Sequence, residues 1–426
     1  MRPLVLILVC IGLLSLPLGA TASTSAEKQA AIDAGLAYLA STQQANGSWA
    51  YGGYEPAATA AALQAFVDQK YKPLGWGAAD YSGVVANASK YLLQDAVLLP
   101  FAAGGNWWGF GAGGTGIQMA AANNENTYTT GLTIPALSRL VNNPYGGSPI
   151  YNPTAVIGGT GNAVVDGKTY TQVIQGMVDA FTYYQSGPAT GNRYGGWRYF
   201  AGNNDSDMST TQWPVISYIF AKQVPGVSIP DGTVKGALQT YLTTVQYASG
   251  GVDYSPGAGI VNATHAGGFL LANNFAGGGG LGGDGKAQAL AWLNSDWLTG
   301  PSGIWWGNEG HPYAMWANYK ALETLYGTTG AGPISNLHPQ TTSLDPGATW
   351  NWWEDYCQSL VLSQNGNGSW TGYSYWYGPM ATAWDINILN ATQTGGDNHV
   401  VPEPATMILL GSGLLVLWGA RKKFRK

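Results

Sequence analysis

The phrase Gln43-Gln44-Ala45-Asn46-Gly47-Ser48-Trp49 returns near the other end of the chain as Gln364-Asn365-Gly366-Asn367-Gly368-Ser369-Trp370. Each copy follows an amphipathic stretch, roughly Ala26 to Gln43 and Trp350 to Ser363, and precedes a run of small and apolar residues that opens near Pro56 or Pro379. Proline suits a first helical position, because the N–H it lacks would be unpaired there anyway. The pattern is therefore helix, Gly-Trp loop, helix, and it recurs six times along the body.

In the second unit a helix near Val84 to Leu93 leads through Trp107-Trp108-Gly109 to a helix from about Thr129 to Leu140. The third runs from Gln172–Gln185 through Gly195-Gly196-Trp197-Arg198-Tyr199 to Thr210–Ala221, and the fourth, the weakest, from Val234–Gln246 through Gly250-Gly251-Val252-Asp253-Tyr254 to His265–Asn273. The fifth joins Lys286–Trp297 through Trp305-Trp306-Gly307 to Pro312–Leu325, and the sixth ends on Pro379 to Leu389. Two stretches rich in Gly, Pro and Asn, Asn142 to Gly167 and Gly327 to Gly347, read as surface insertions, so residues 23–396 form one body. Second helices such as Ala57 to Leu63 and Thr211 to Tyr218 carry small or apolar residues on every side and belong inside; the amphipathic first helices belong outside. Stacked hairpins bury a shared core as an open solenoid or a closed ring, and six units favour closure.

The Gln-x-x-x-Gly-x-Trp phrases at residues 43–49 and 364–370 resemble the repeats of squalene–hopene cyclases and protein prenyltransferase β-subunits. That resemblance covers most of residues 26 to 392 and implies an all-α fold, an α/α toroid of about six hairpins in two concentric layers. It further implies that the aromatic loops and the starts of the inner helices gather round one mouth. Glu55, Asp205, Asp207, His265, Glu309 and His311 would then share a rim with Trp49, Trp108, Trp197, Tyr254, Trp306 and Trp370. A few polar groups among aromatic walls describe a ligand cleft. Inner-helix N-termini aimed at it would favour an anionic or hydroxyl-rich ligand.

Asp205-Ser206-Asp207-Met208-Ser209-Thr210 resembles the Asp-x-Asp-Asp-Thr motif of class II terpene cyclases, whose middle Asp protonates an alkene. Met208 stands where the last Asp belongs, and protonating carbon demands an unusually strong acid. Helix capping by Asp207 and Ser209 is the favoured role, with Asn126 and His265 capping in the second and fourth units. Asp355-Tyr356-Cys357 with His399 resembles the zinc ligands of prenyltransferases, but the pair sits on a predicted outer helix and reads as structural. His265, His311 and His338 lack ligand spacing, so no metal and no cofactor is expected. Cys-Gly-Glu-Gln and Gly-x-Ser-x-Gly sequences are absent, and Gly277-Gly278-Gly279-Gly280 lacks the Lys and Ser/Thr of a phosphate loop.

The chain opens on Met1-Arg2, an apolar run from Leu4 to Leu18, and Ala20-Thr21-Ala22. This is a secretory signal, with signal peptidase cutting after Ala22 and Ala20 at the −3 position. Cys10 follows Val9, where a lipid-attachment site needs a small residue, and is discarded with the signal. The far end reads Val401-Pro402-Glu403-Pro404, an apolar stretch from Met407 to Ala420, and Arg421-Lys422-Lys423-Phe424-Arg425-Lys426. The stretch is shorter than the ~20 residues of a comfortable membrane helix and acts as a transient inner-membrane hold. The basic end stays in the cytoplasm and leaves the body outside. These three parts resemble the PEP-CTERM sorting signal. The resemblance implies recognition by an exosortase, cleavage near Pro402, and a Gram-negative host that makes exopolysaccharide.

Taking the six basic residues of the two ends from 18, and Glu403 from 23, leaves 12 against 22, a balance near −10. That balance opposes binding to nucleic acid or to anionic lipid. Cys357 is the only cysteine of the body, so no intramolecular disulfide can form. The charged fraction is 10%, well below the usual quarter, while 18 Trp and 25 Tyr exclude a disordered chain. The expectation is an exported envelope or matrix protein whose aromatic cleft binds a glycan or other envelope component. The competing expectation is an enzyme: a cyclase-like catalyst, or one that cleaves polysaccharide with acidic residues at the mouth.

Overall fold

The computed structural model describes residues 23–70, 80–102, 114–121, 124–142, 151–202, 205–283 and 285–391. Both terminal signals lie outside the described residues, with Ala20, Ala22, Val401, Pro402, Glu403, Pro404, Arg421 and the apolar stretch from Met407 to Ala420. Among the described residues no helix is long and apolar enough to cross a membrane.

The body is predominantly helical. The first helices of the six units are α1 (Ser25–Thr42), α3 (Ser82–Gln94), α5 (Tyr170–Tyr184), α7 (Thr233–Val245), α9 (Lys286–Asp296) and α11 (Trp352–Ser363). The second helices are α2 (Glu55–Lys70), α4 (Asn126–Val141), α6 (Met208–Ala221), α8 (Ala263–Ala276), α10 (Pro312–Tyr326) and α12 (Gly378–Leu389). α1 buries a single stripe, Lys28, Ala31, Ile32, Gly35, Leu36 and Leu39, whereas α6 and α12 are buried along almost their whole length. One set thus covers the other, as their polarity requires. Along the second set, α2 packs on α4, α4 on α6, α6 on α8, α8 on α10 and α10 on α12, and α12 packs back on α2.

The fold departs from purely helical in two places. β1 (Ala96–Pro100) pairs antiparallel with β2 (Thr115–Met119), and β3 (Gly372–Tyr373) pairs with β4 (Trp376–Tyr377). Ala96-Val97-Leu98-Leu99-Pro100 is an apolar run too short for a helix, and β2 seats it on α5, where Gly116 meets the backbone of Ala180. In the helix–loop–helix pattern of the sequence both segments fall between helices, where a loop is expected.

The repeated phrase joins neighbouring hairpins. Gln43 Nε2 donates to Gly47 O at 3.0 Å within its own loop and to Val84 O at 3.0 Å on α3. Gln185 makes the same pair of bonds to Gly195 O and to Val234 O on α7. Gln364 repeats it to Gly368 O at 2.9 Å and, at 2.7 Å, to Ala31 O on α1, so the last unit is tied to the first. The glycine lets the loop press on that next helix. At Gly195 (φ +93°) and Gly368 (φ +86°) a Cβ would lie 1.9 Å from Ala237 O and 2.2 Å from Ala34 O. Any other residue would be strained at that φ and would collide with backbone.

Candidate functional site

A cavity of about 750 Å³ opens where the second helices begin. Every one of them contributes: Ala57 of α2, Tyr128 of α4, Ser209 and Trp213 of α6, Thr264 and His265 of α8, Tyr313 of α10, and Met380 and Trp384 of α12. The loops ahead of them add Tyr51, Tyr54, Glu125, Tyr199, Tyr254, Trp305 and His311, and the β3–β4 ribbon adds Tyr375, Trp376 and Tyr377.

Stacked rings make the floor. Trp213 and Tyr313 lie 6.0 Å apart with an interplanar angle of 2°, and Trp384 stacks on both at 6.2 and 6.0 Å. Trp376 covers Tyr313 at 4.8 Å. The stack buries Trp213, Tyr313 and Trp384 almost completely, and the more open aromatic surface of the cavity comes from Trp305, Tyr375 and Tyr377. Behind the floor, Lys320 Nζ sits 4.2 Å from the Trp213 ring and donates to Gln212 Oε1. Burial pulls the pKa of Lys320 down to about 7.

Apart from Glu125, the polar wall is made of neutral groups. Tyr199 and Tyr254 share a hydroxyl bond of 2.7 Å, Tyr128 meets Ser209 Oγ at 2.9 Å, and Tyr313 donates to Ser209 O at 2.8 Å. Burial raises the pKa of Tyr128, Tyr199, Tyr254 and Tyr313, so these phenols keep their protons. His265 is pushed down to about 4 by burial, and its Nδ1 lies 3.1 Å from Ile260 O. His311 is also lowered by burial; its Nδ1 accepts from Ala314 N while Nε2 faces Ile304 O at 3.1 Å, which fixes the Nε2–H tautomer. Among the described residues the one carboxylate of the lining is Glu125, which accepts from the Tyr54 hydroxyl.

Of the residues singled out in the sequence, Tyr254, His265 and His311 line this cavity. Trp197 and Trp370 do not. Each indole N–H donates back to the end of its own first helix, Trp197 to Phe181 O at 2.7 Å and Trp370 to Leu360 O at 2.8 Å, and Trp49 does the same to Leu39 O. These rings are buried loop anchors. Glu55 begins α2 and accepts from the backbone N–H groups of Tyr51 and Gly53. Trp306 is exposed beside Trp305, outside the cavity lining, and Trp108 lies outside the described residues.

Asp207 is wholly buried and caps α6, accepting from Thr210 N at 2.8 Å and Ser209 Oγ at 2.5 Å. Its other oxygen meets Arg198, which also approaches Asp205 at 3.5 Å. Burial raises the Asp207 pKa against the pull of Arg198. Burial opposes the charge on Arg198, but Asp207, Tyr254, Tyr199 and Asp205 together outweigh it and the guanidinium holds its proton firmly. Neither carboxylate lines the cavity. α8 is capped by Asn262, not His265, and α4 begins at Asn126 after Glu125 with no side-chain cap. Asn126 Nδ2 donates instead to Met119 O, holding β2 to α4.

Sequence reading missed Trp213, Tyr313, Trp376 and Trp384. The available signal was an aromatic within the first two turns of an inner helix, as at Tyr128, Trp213, Tyr313 and Trp384. It also missed a grouping outside the cavity. Glu309, from the loop before α10, meets His338 of the 327–347 insertion and Asp355 of α11, with one ligand-type atom of each within 4.8 Å of the others. Burial raises the Glu309 pKa. Cys357, on the same helix as Asp355, is buried in the core, and His399 lies outside the described residues.

The geometry therefore defines a helical protein with an aromatic cavity at the helix starts. Residues 400–426 match the PEP-CTERM protein-sorting motif, which implies an exported chain carrying a C-terminal sorting signal that an exosortase processes. No curated protein matches the chain.

Proposed function

We propose that the body is a closed α/α toroid of six hairpins and that its cavity binds a glycan or another hydroxyl-rich component of the cell envelope. The closure reading rests on the return contact of α12 with α2 and on the Gln364 bond to α1. One observation carries the binding reading: stacked indole and phenol faces are ringed by protonated tyrosine hydroxyls and neutral imidazoles. Such a wall offers flat apolar surface and uncharged donors and acceptors, which is what the two faces and the hydroxyls of a sugar require. The cavity volume lies within the range of ligand sites.

Binding is favoured over glycoside cleavage by the acid inventory. Hydrolysis of that kind uses two carboxyl groups about 5–9.5 Å apart across the bond, and among the described residues Glu125 is the sole carboxylate of the lining. In this reading signal peptidase and exosortase process the chain, the C-terminal segment holds it briefly in the inner membrane, and the body reaches the outer envelope or the medium. Calorimetry with envelope polysaccharides, coupled to analysis of the products, tests the assignment. Saturable binding with the polymer left intact supports it; polymer cleavage that Glu125→Gln abolishes would replace it with an acid-catalysed enzyme.

A further inference from the structure

The cluster of Glu309, His338 and Asp355 lies away from the cavity and joins three segments far apart in the chain. His338 Nδ1 is 2.7 Å from Glu309 Oε2 and 3.2 Å from Asp355 Oδ2. The Asp355 side chain is 1% exposed, and its Oδ1 has no hydrogen-bond partner. Glu309 Oε2 is buried as well. Despite its closeness to the ring nitrogen it forms no aligned hydrogen bond. Among the described residues, neither carboxylate pairs with a Lys or Arg. Both carboxylates face the one His338 ring nitrogen, and leaving a buried oxygen such as Asp355 Oδ1 unsatisfied is costly.

We propose that Glu309, His338 and Asp355 hold one divalent transition-metal ion, zinc in the first instance, which fastens the 327–347 insertion to the outer layer. An imidazole nitrogen with two carboxylate oxygens is a zinc-type donor set. Bonds of about 2.0–2.2 Å place the ligand atoms of a tetrahedral ion roughly 3.3–3.5 Å apart, so the 3.2 Å edge fits and the 2.7 Å edge opens slightly. The surroundings hold the donors in place. Trp297 Nε1 donates to Asp355 Oδ2 at 2.7 Å, Trp350 Nε1 donates to His338 O, and Gln358 Oε1 accepts from the N–H groups of Thr341 and Thr342. Bonds of this sort from neighbouring groups orient metal ligands and tune them.

The test uses protein purified after export from the full-length gene, stripped with EDTA, dialysed and titrated with zinc chloride. Bound metal is counted by mass spectrometry and unfolding is followed by circular dichroism. The expected result is one zinc per chain and a Tm about 3 °C higher at a hundredfold excess over Kd. Glu309→Gln keeps the shape and an oxygen at this partly exposed position; it should match the stripped wild type in Tm and lose the zinc response. Stripped wild-type protein that takes up no zinc overturns the proposal, as does Glu309→Gln taking up zinc as the wild type does.

Discussion

Gly368→Ala tests how the last hairpin is fastened to the first. The added Cβ would stand 2.2 Å from Ala34 O, 2.6 Å from Ala34 C and 3.2 Å from Ala34 Cβ, where ordinary contact begins near 3.4 Å, so the loop must back off α1 by about an ångström. Gly368 also sits at φ +86°, where a side chain costs roughly 1–2 kcal/mol. Overpacking adds a further 1–3 kcal/mol or so. Withdrawal of the loop also stretches the Gln364 bond to Ala31 O. A total near 3 kcal/mol corresponds to a fall in Tm of roughly 4 °C for a domain of this size. Gly366→Ala, two residues away in the same loop with nothing within 4 Å, is the control and should be near neutral. Thermal unfolding of the two variants beside the wild type decides the matter. If Gly368→Ala unfolds with the wild type, or if Gly366→Ala costs as much, the loop is not the clasp described here.

Two further outcomes follow from the same structure. The folded-state pKa of His265 lies near 4 against an ordinary 6.5, so the unfolded chain binds the extra proton first and stability falls as pH drops through that interval. The loss approaches about 3 kcal/mol at pH 4, and His265→Gln should flatten that part of the profile in urea titrations between pH 7 and 4. Deleting Val401 to Lys426 should release the protein unanchored into the soluble fraction; fractionation that the deletion leaves unchanged would contradict sorting by the tail.

Much of the scaffold was legible in the chain because its signals are local. Gln43, Gly47 and Trp49 each act on a neighbour set by the repeat, and Pro56, Pro312 and Pro379 mark helix starts whatever surrounds them. The cavity was less legible because a tryptophan reads the same in a loop anchor as in a binding wall. Trp197 and Trp370 read as walls, yet a carbonyl four residues before Gln185 and Gln364, that of Phe181 and of Leu360, claims their N–H groups and turns the rings inward. Trp213 and Trp384 read as core and are buried in it, yet the stacking of α6, α10 and α12 also brings them to the cavity lining. Asp207 drew attention through its neighbours in sequence, whereas in the fold burial raises its pKa and Arg198, nine residues earlier, pairs with it. His338 and Asp355 had no readable relation until the insertion folded back over α11.

The most direct measurement is a crystal structure of the exported protein with a short oligosaccharide from whichever envelope polysaccharide it binds. The account predicts a sugar ring lying flat on Trp376 or Trp305, with its hydroxyls among Tyr199, Tyr254 and Tyr128. A sugar held elsewhere on the surface, with this cavity filled only by solvent, would contradict it.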